Sequence, residues 1–211
     1  MRRAVAIPLL VLALPLWAGK NKTLNPGLIK KPPQTAEIAN LEVPKPKQNC
    51  PNWAWAAAFQ LMLSEQNISD YKQSYWVMKA AGGELCIETP IDLDRLKRLV
   101  DGDYKLSDGN DIHFQGVVTP GAPTDVSYFV NQLKQGRTAM MLWRGKVYVL
   151  QAIEYDEYLY PNGQTMFEAR KLTLLNPITK EAAVFDKTKD DVADIGGVFE
   201  VKVGPVDPFL Y

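Results

Sequence analysis

Histidine is nearly absent from this chain of 211 residues, with His113 as the single instance. Cysteine occurs twice, as Cys50 and Cys86. Structural zinc sites take several Cys and His ligands, so one histidine beside Asp108 and Asp111 argues against a metal centre. No metal or cofactor is expected, and His113 reads as a surface or partly buried structural residue. Charge of one sign is also lacking: 24 Lys and Arg balance 24 Asp and Glu, for a formal net charge of zero. Composition therefore supplies no basic surface for nucleic acid or for an anionic membrane. Beyond residue 18 no apolar run approaches the ~20 residues that a membrane-spanning helix needs.

What remains is an ordinary globular composition, 46% hydrophobic and 23% charged, enough for one domain behind a leader. Residues 1–18 read as a secretory signal peptide. Arg2 and Arg3 form its basic start, residues 4–17 its apolar run, and Ala18 and Gly19 its cleavage region. Pro8 and Pro15 interrupt the run, and a retained anchor is the alternative. Export predicts a secreted or periplasmic protein, with no membrane contact once the signal is removed. An even cysteine count in an exported chain invites one disulfide, Cys50 to Cys86; two buried thiols are the other reading. Residues 19–40, rich in Lys, Pro, Asn and Thr, read as a linker, and residues 41–211 as the domain.

Periodicity places helices first and strands later. Apolar spacing predicts helices over 53–65, with Asn52 as N-cap, and over 69–81, ended by Gly82-Gly83. Two more are predicted over 91–100 and from 123–125 to Gln135. On the second helix Tyr71, Tyr75 and Met78 recur at helical spacing and read as core. Residues 104–116 are polar and read as irregular or short strand. Strands are expected over 138–143, 146–155, 166–175, 182–186 and 198–203, with Arg144-Gly145 and Asn162-Gly163 as turns. This order predicts an α+β fold with a helical N-terminal half and an antiparallel sheet in the C-terminal half.

The segment Gln48-Asn49-Cys50-Pro51-Asn52-Trp53-Ala54-Trp55-Ala56 opens the first apolar helix. It resembles the nucleophile motif of papain-like cysteine peptidases: Gln, five residues, Cys-Trp-Ala, then an apolar helix. Gln48 falls on the oxyanion glutamine and Trp55-Ala56 on the Trp-Ala, while the nucleophile position holds Ala54. The later strands resemble the bacterial C39-like branch of that family: Gly136-Arg137-Thr138 before an apolar strand, Gly145-Lys146 opening the next, then Tyr155-Asp156 and Asn176-Pro177. The resemblance spans about residues 41–180. Lys146 stands in the histidine slot, and Asn176 keeps the orienting residue. Family members often carry a cysteine shortly before the nucleophile, bridged to the next helical region. Cys50 lies four residues before Ala54, and a bridge to Cys86, 36 residues on, would add about 3–4 kcal/mol.

The resemblance implies a papain-like fold in which Ala54, at a helix N-terminus, faces Lys146 with Gln48 and Asn176 close by. It also places Trp53, Trp55 and Trp143 near the former cleft as candidate binding residues; core packing is the competing role. A methyl group cannot attack a carbonyl, and nucleophilic catalysis needs a nucleophile beside a base. The expectation is a pseudoenzyme that binds a peptide or protein. The alternatives are a hydrolase or transferase using relocated residues, and an exported structural protein without a ligand.

Overall fold

The computed structural model describes residues 28–44, 53–83 and 92–206. Among these, four α-helices pack on one nine-stranded antiparallel sheet, so the architecture is mixed α and β. Helix α1 (Ala54–Ser64) begins at the expected place. Its Ala-rich sequence favours helix and is buried almost all round, with Ala56, Ala57, Ala58 and Phe59 at 0% exposure. Asn52 lies outside the described residues; the N-cap is Trp53, whose side chain makes no capping hydrogen bond. Helix α2 (Gln73–Ala81) ends on Gly82, whose φ of 73° is the left-handed C-cap that glycine adopts without strain. Its buried positions are Gln73, Trp76 and Val77, one i, i+3, i+4 stripe. Tyr75 and Met78 fall off that stripe and are exposed, which corrects their assignment to the core. Helix α3 (Leu93–Val100) is capped by Asp92, which accepts a 2.6 Å hydrogen bond from the Arg95 N–H.

The predicted strands are found as β5 (Met140–Trp143), β6 (Lys146–Leu159), β7 (Thr165–Leu175), β8 (Ala182–Asp186) and β9 (Ile195–Pro205). Two regions go beyond the sequence reading. Residues 29–37, assigned to a linker, contribute β1 (Ile29–Lys30) and β2 (Gln34–Glu37), both paired with β6. Residues 102–120 form a hairpin of β3 (Gly102–Lys105) and β4 (Asp111–Pro120) in which Tyr104 and Phe114 point inward. The continuous strand order is β3-β4-β9-β5-β6-β7-β8, so the sheet is wider than the C-terminal half.

Strand alternation splits the core into two layers. Helices α1, α2 and α3 cover one face, with Met140, Val149, Leu175 and Phe199 beneath them. Helix α4 (Ser127–Lys134) covers the other, over Met141, Leu150, Ile153, Leu172 and Val198. An aromatic network knits the first layer: Phe59 meets Trp76 edge-on at 4.7 Å, and Tyr104 meets Phe114 at 4.6 Å.

Candidate functional site

The turn between β5 and β6 decides which residues can face α1. Arg144 and Gly145 have φ of 50° and 70°, the left-handed pair of a two-residue hairpin turn. That turn sets Trp143 opposite Lys146, Leu142 opposite Val147, Met141 opposite Tyr148 and Met140 opposite Val149. Directly opposed residues share a sheet face. Met140, Leu142, Val147 and Val149 belong to the α1 side; Met141, Trp143 and Tyr148 belong to the α4 side. Lys146, opposite Trp143, is therefore on the face away from α1. The expectation that Ala54 faces Lys146 is corrected: the first β6 residue turned toward α1 is Val147. A shift of one residue along a strand reverses the face.

The other expected site residues are placed as follows. Gln48, Cys50 and Cys86 lie outside the described residues, and so does the expected disulfide. Ala54 is the first residue of α1, as expected. Asn176 follows β7 and closes its own turn, its Oδ1 accepting from the backbone N–H of Ile178 at 2.8 Å and of Thr179 at 3.2 Å. The same turn presents Lys180, whose ammonium donates to the carbonyls of Val43 and Pro44, so it grips the chain ahead of α1. Trp53, Trp55 and Trp143 expose only 2%, 6% and 5%. Their rings are spent on packing, Trp143 in the layer opposite the other two, which corrects their assignment as ligand-contact residues. His113 sits on the outer hairpin, its Nδ1 2.6 Å from the Asp103 carboxylate on the neighbouring strand. Among the described residues no three His, Cys, Asp or Glu side chains gather as a metal site, and no helix is long and apolar enough to cross a membrane.

Two features escape the sequence reading. The first is a cleft of about 330 Å3 between the end of α1, helix α4 and β9, lined by Glu65, Tyr128, Arg137 and Glu200 among others. Glu65 Oε2 accepts from the Thr138 N–H at 2.7 Å, while its Oε1 is buried without a hydrogen-bond partner among the described residues. Burial pushes both carboxyls up, Glu65 to about 7 and Glu200 to about 7, against the partial relief of the Thr138 bond for the first and of Lys202 and Tyr128 for the second. Carboxyls that titrate near neutral pH can donate and accept protons. Glu200 has a faint sequence signal, an acid inside an apolar strand; Glu65 has none. The second feature is an apolar cavity of about 430 Å3 under α4.

The chain matches no protein-family model and no curated protein.

Proposed function

We propose that this protein is an exported, non-catalytic relative of the papain-like, C39-like cysteine peptidases that serves as a peptide- or protein-binding module. The observation that carries this reading is Ala54 at the first position of the apolar helix α1. Ala54 brings a methyl group to the helix N-terminus, where the helix dipole would favour a thiolate. The first β6 residue on the α1 side of the sheet is the apolar Val147, not the Lys146 of the expected base position. Neither Ala54 nor Val147 supplies a nucleophile or a base. An engineered loss of the thiol would explain Ala54 alone; the apolar partner fits natural loss of both functions.

The ancestry is tested by rebuilding the dyad. In an Ala54→Cys background, Val147→His is expected to speed labelling of the new thiol by an epoxide reagent relative to Lys146→His. The native Cys50 and Cys86 are controlled for by the parent protein. Equal rates in the two double variants would contradict the papain-like reading. A second reading, a hydrolase or transferase using relocated residues, is favoured by the cleft that holds Glu65 and Glu200 near neutral pH. Loss of a measured turnover on Glu65→Gln or Glu200→Gln would select it.

A further inference from the structure

The cavity under α4 lies in the sheet layer opposite Ala54 and does not depend on the papain-like reading. Its walls are Met141, Leu150, Ile153 and Leu172 from the sheet, Phe129 from α4 and Phe185 from β8. Its volume of about 430 Å3 falls in the range of small-molecule sites, roughly 300–1,000 Å3, which are mostly apolar with a few polar groups that fix orientation.

One end is not apolar. Glu168, Ala169 and Lys187 line both this cavity and an adjoining polar cleft of about 580 Å3. Four cations border that cleft, Lys30, Arg170, Lys171 and Lys187, along with three carboxylates, Asp156, Glu168 and Asp186. The two signs differ in depth. The cationic side chains are 29–44% exposed, the carboxylates only 9–20%. Lys30 covers Asp156 at 2.6 Å, and Lys187 pairs with Glu168. Glu154, 30% exposed, also pairs with Arg170 and Lys171, so the charges of the cluster balance. The acids hold the cations in place, and the groups that stand outermost are mostly cationic. An ammonium has three donors and a guanidinium five, so each can pair inward and still present N–H groups outward.

We infer that this cavity and cleft together bind a single-chain anionic amphiphile of the fatty-acid kind, its chain under α4 and its carboxylate among Lys30, Arg170 and Lys187. Apolar burial drives entry of the chain, and the cationic rim fixes which end stays outside.

The test is a titration of the full chain, labelled with 13C at the methionine methyls, with dodecanoate below its micelle concentration. Met141 and Met166 line the cavity; Met140 faces the other core layer and Met78 is exposed to solvent. The expected result is a saturable shift of the Met141 and Met166 resonances with Met140 and Met78 unmoved. Butyrate, too short to fill the cavity, should produce no such shift, and dodecylammonium should bind roughly tenfold more weakly than dodecanoate. Arg170→Gln with Lys187→Gln should weaken dodecanoate by a similar factor. Ala169→Phe, if it folds, should abolish the shifts. Unmoved Met141 and Met166, a parallel shift of Met78, equal affinity for the two head groups, or unchanged binding by a folded Ala169→Phe protein would each overturn the proposal.

Discussion

Trp143 and Lys146 stand directly opposite each other across a two-residue turn, on the sheet face that α4 covers. That pairing moves the residue in the expected base position to the far side of the sheet from Ala54. It leaves Val147 as the first β6 residue packed toward α1. Arg144 secures the arrangement: its guanidinium lies 4.7 Å from the Trp143 ring centre and pairs with Asp194 at 2.8 Å and Asp190 at 3.0 Å.

The two neighbours should therefore respond differently to truncation. Lys146 is exposed, and Lys146→Ala is expected to change stability by less than about 0.5 kcal/mol. Val147→Ala removes two methyl groups from the α1 layer and should cost about 1 kcal/mol. Urea midpoints of the two variants at constant m-value check this.

The raised carboxyls predict a pH dependence of stability. Glu65 and Glu200 move from an unfolded value of 4.5 to about 7 in the folded protein. The folded state therefore binds more protons between those values. Their contribution is fully present below pH 4.5 and is lost as pH rises through about 7. Glu157 and Asp186 are shifted down, so they act only at more acidic pH. Thermal midpoints should fall from pH 5.5 to pH 8, and Glu65→Gln with Glu200→Gln should flatten that slope.

Gly116 of β4 lies close against α3. A Cβ there would lie 3.0 Å from the side chains of Val100 and Phe199 and 3.1 Å from the Lys97 Cα. Two of these neighbours are fully buried, and the third is helix backbone. Gly116→Ala should therefore destabilise by about 1–3 kcal/mol through overpacking. Chemical denaturation reads the loss, and a variant as stable as the parent would contradict the packing described.

Trp76 is fully buried at the centre of the first layer, edge-on to Phe59, and its indole N–H has no hydrogen-bond acceptor among the described residues. Trp76→Ala should cost about 3–5 kcal/mol. Trp76→Phe keeps most of the ring and removes the unpaired donor, so it should cost less than half as much. Unfolding free energies of the two variants check the ratio.

Helices and late strands were legible because their signals are local. The apolar run of α1, the Gly82 stop and the Arg144-Gly145 turn each act within a few residues. The strands β1 and β2 were hidden because they are short and polar, and they are ordered by distant partners: Lys31 and Gln34 both reach Glu157 of β6. The β3–β4 hairpin was legible only as irregular or short strand, because its inward residues Tyr104, Ile112, Phe114 and Val118 are interrupted by a polar outer face and a polar turn. Slot counting placed Ala54 correctly at a helix start, but it could not set strand parity. A two-residue turn with both φ positive sets that parity and puts Lys146 on the wrong side. Glu65 and Glu200 are separated by most of the chain and come to line one cleft only through the packing of α1 against β9.

The central claim is that Ala54, at the start of α1, supplies no nucleophile and that Val147, the first β6 residue on that side of the sheet, supplies no base. The direct measurement is turnover of a broad set of fluorogenic peptides by the purified, unaltered protein, followed from pH 5 to pH 8. The account predicts hydrolysis no faster than the uncatalysed background at every pH, before and after thiol reduction. Turnover that co-purifies with the protein, and that is lost on changing Glu65, Glu200 or another residue of this chain, would contradict it.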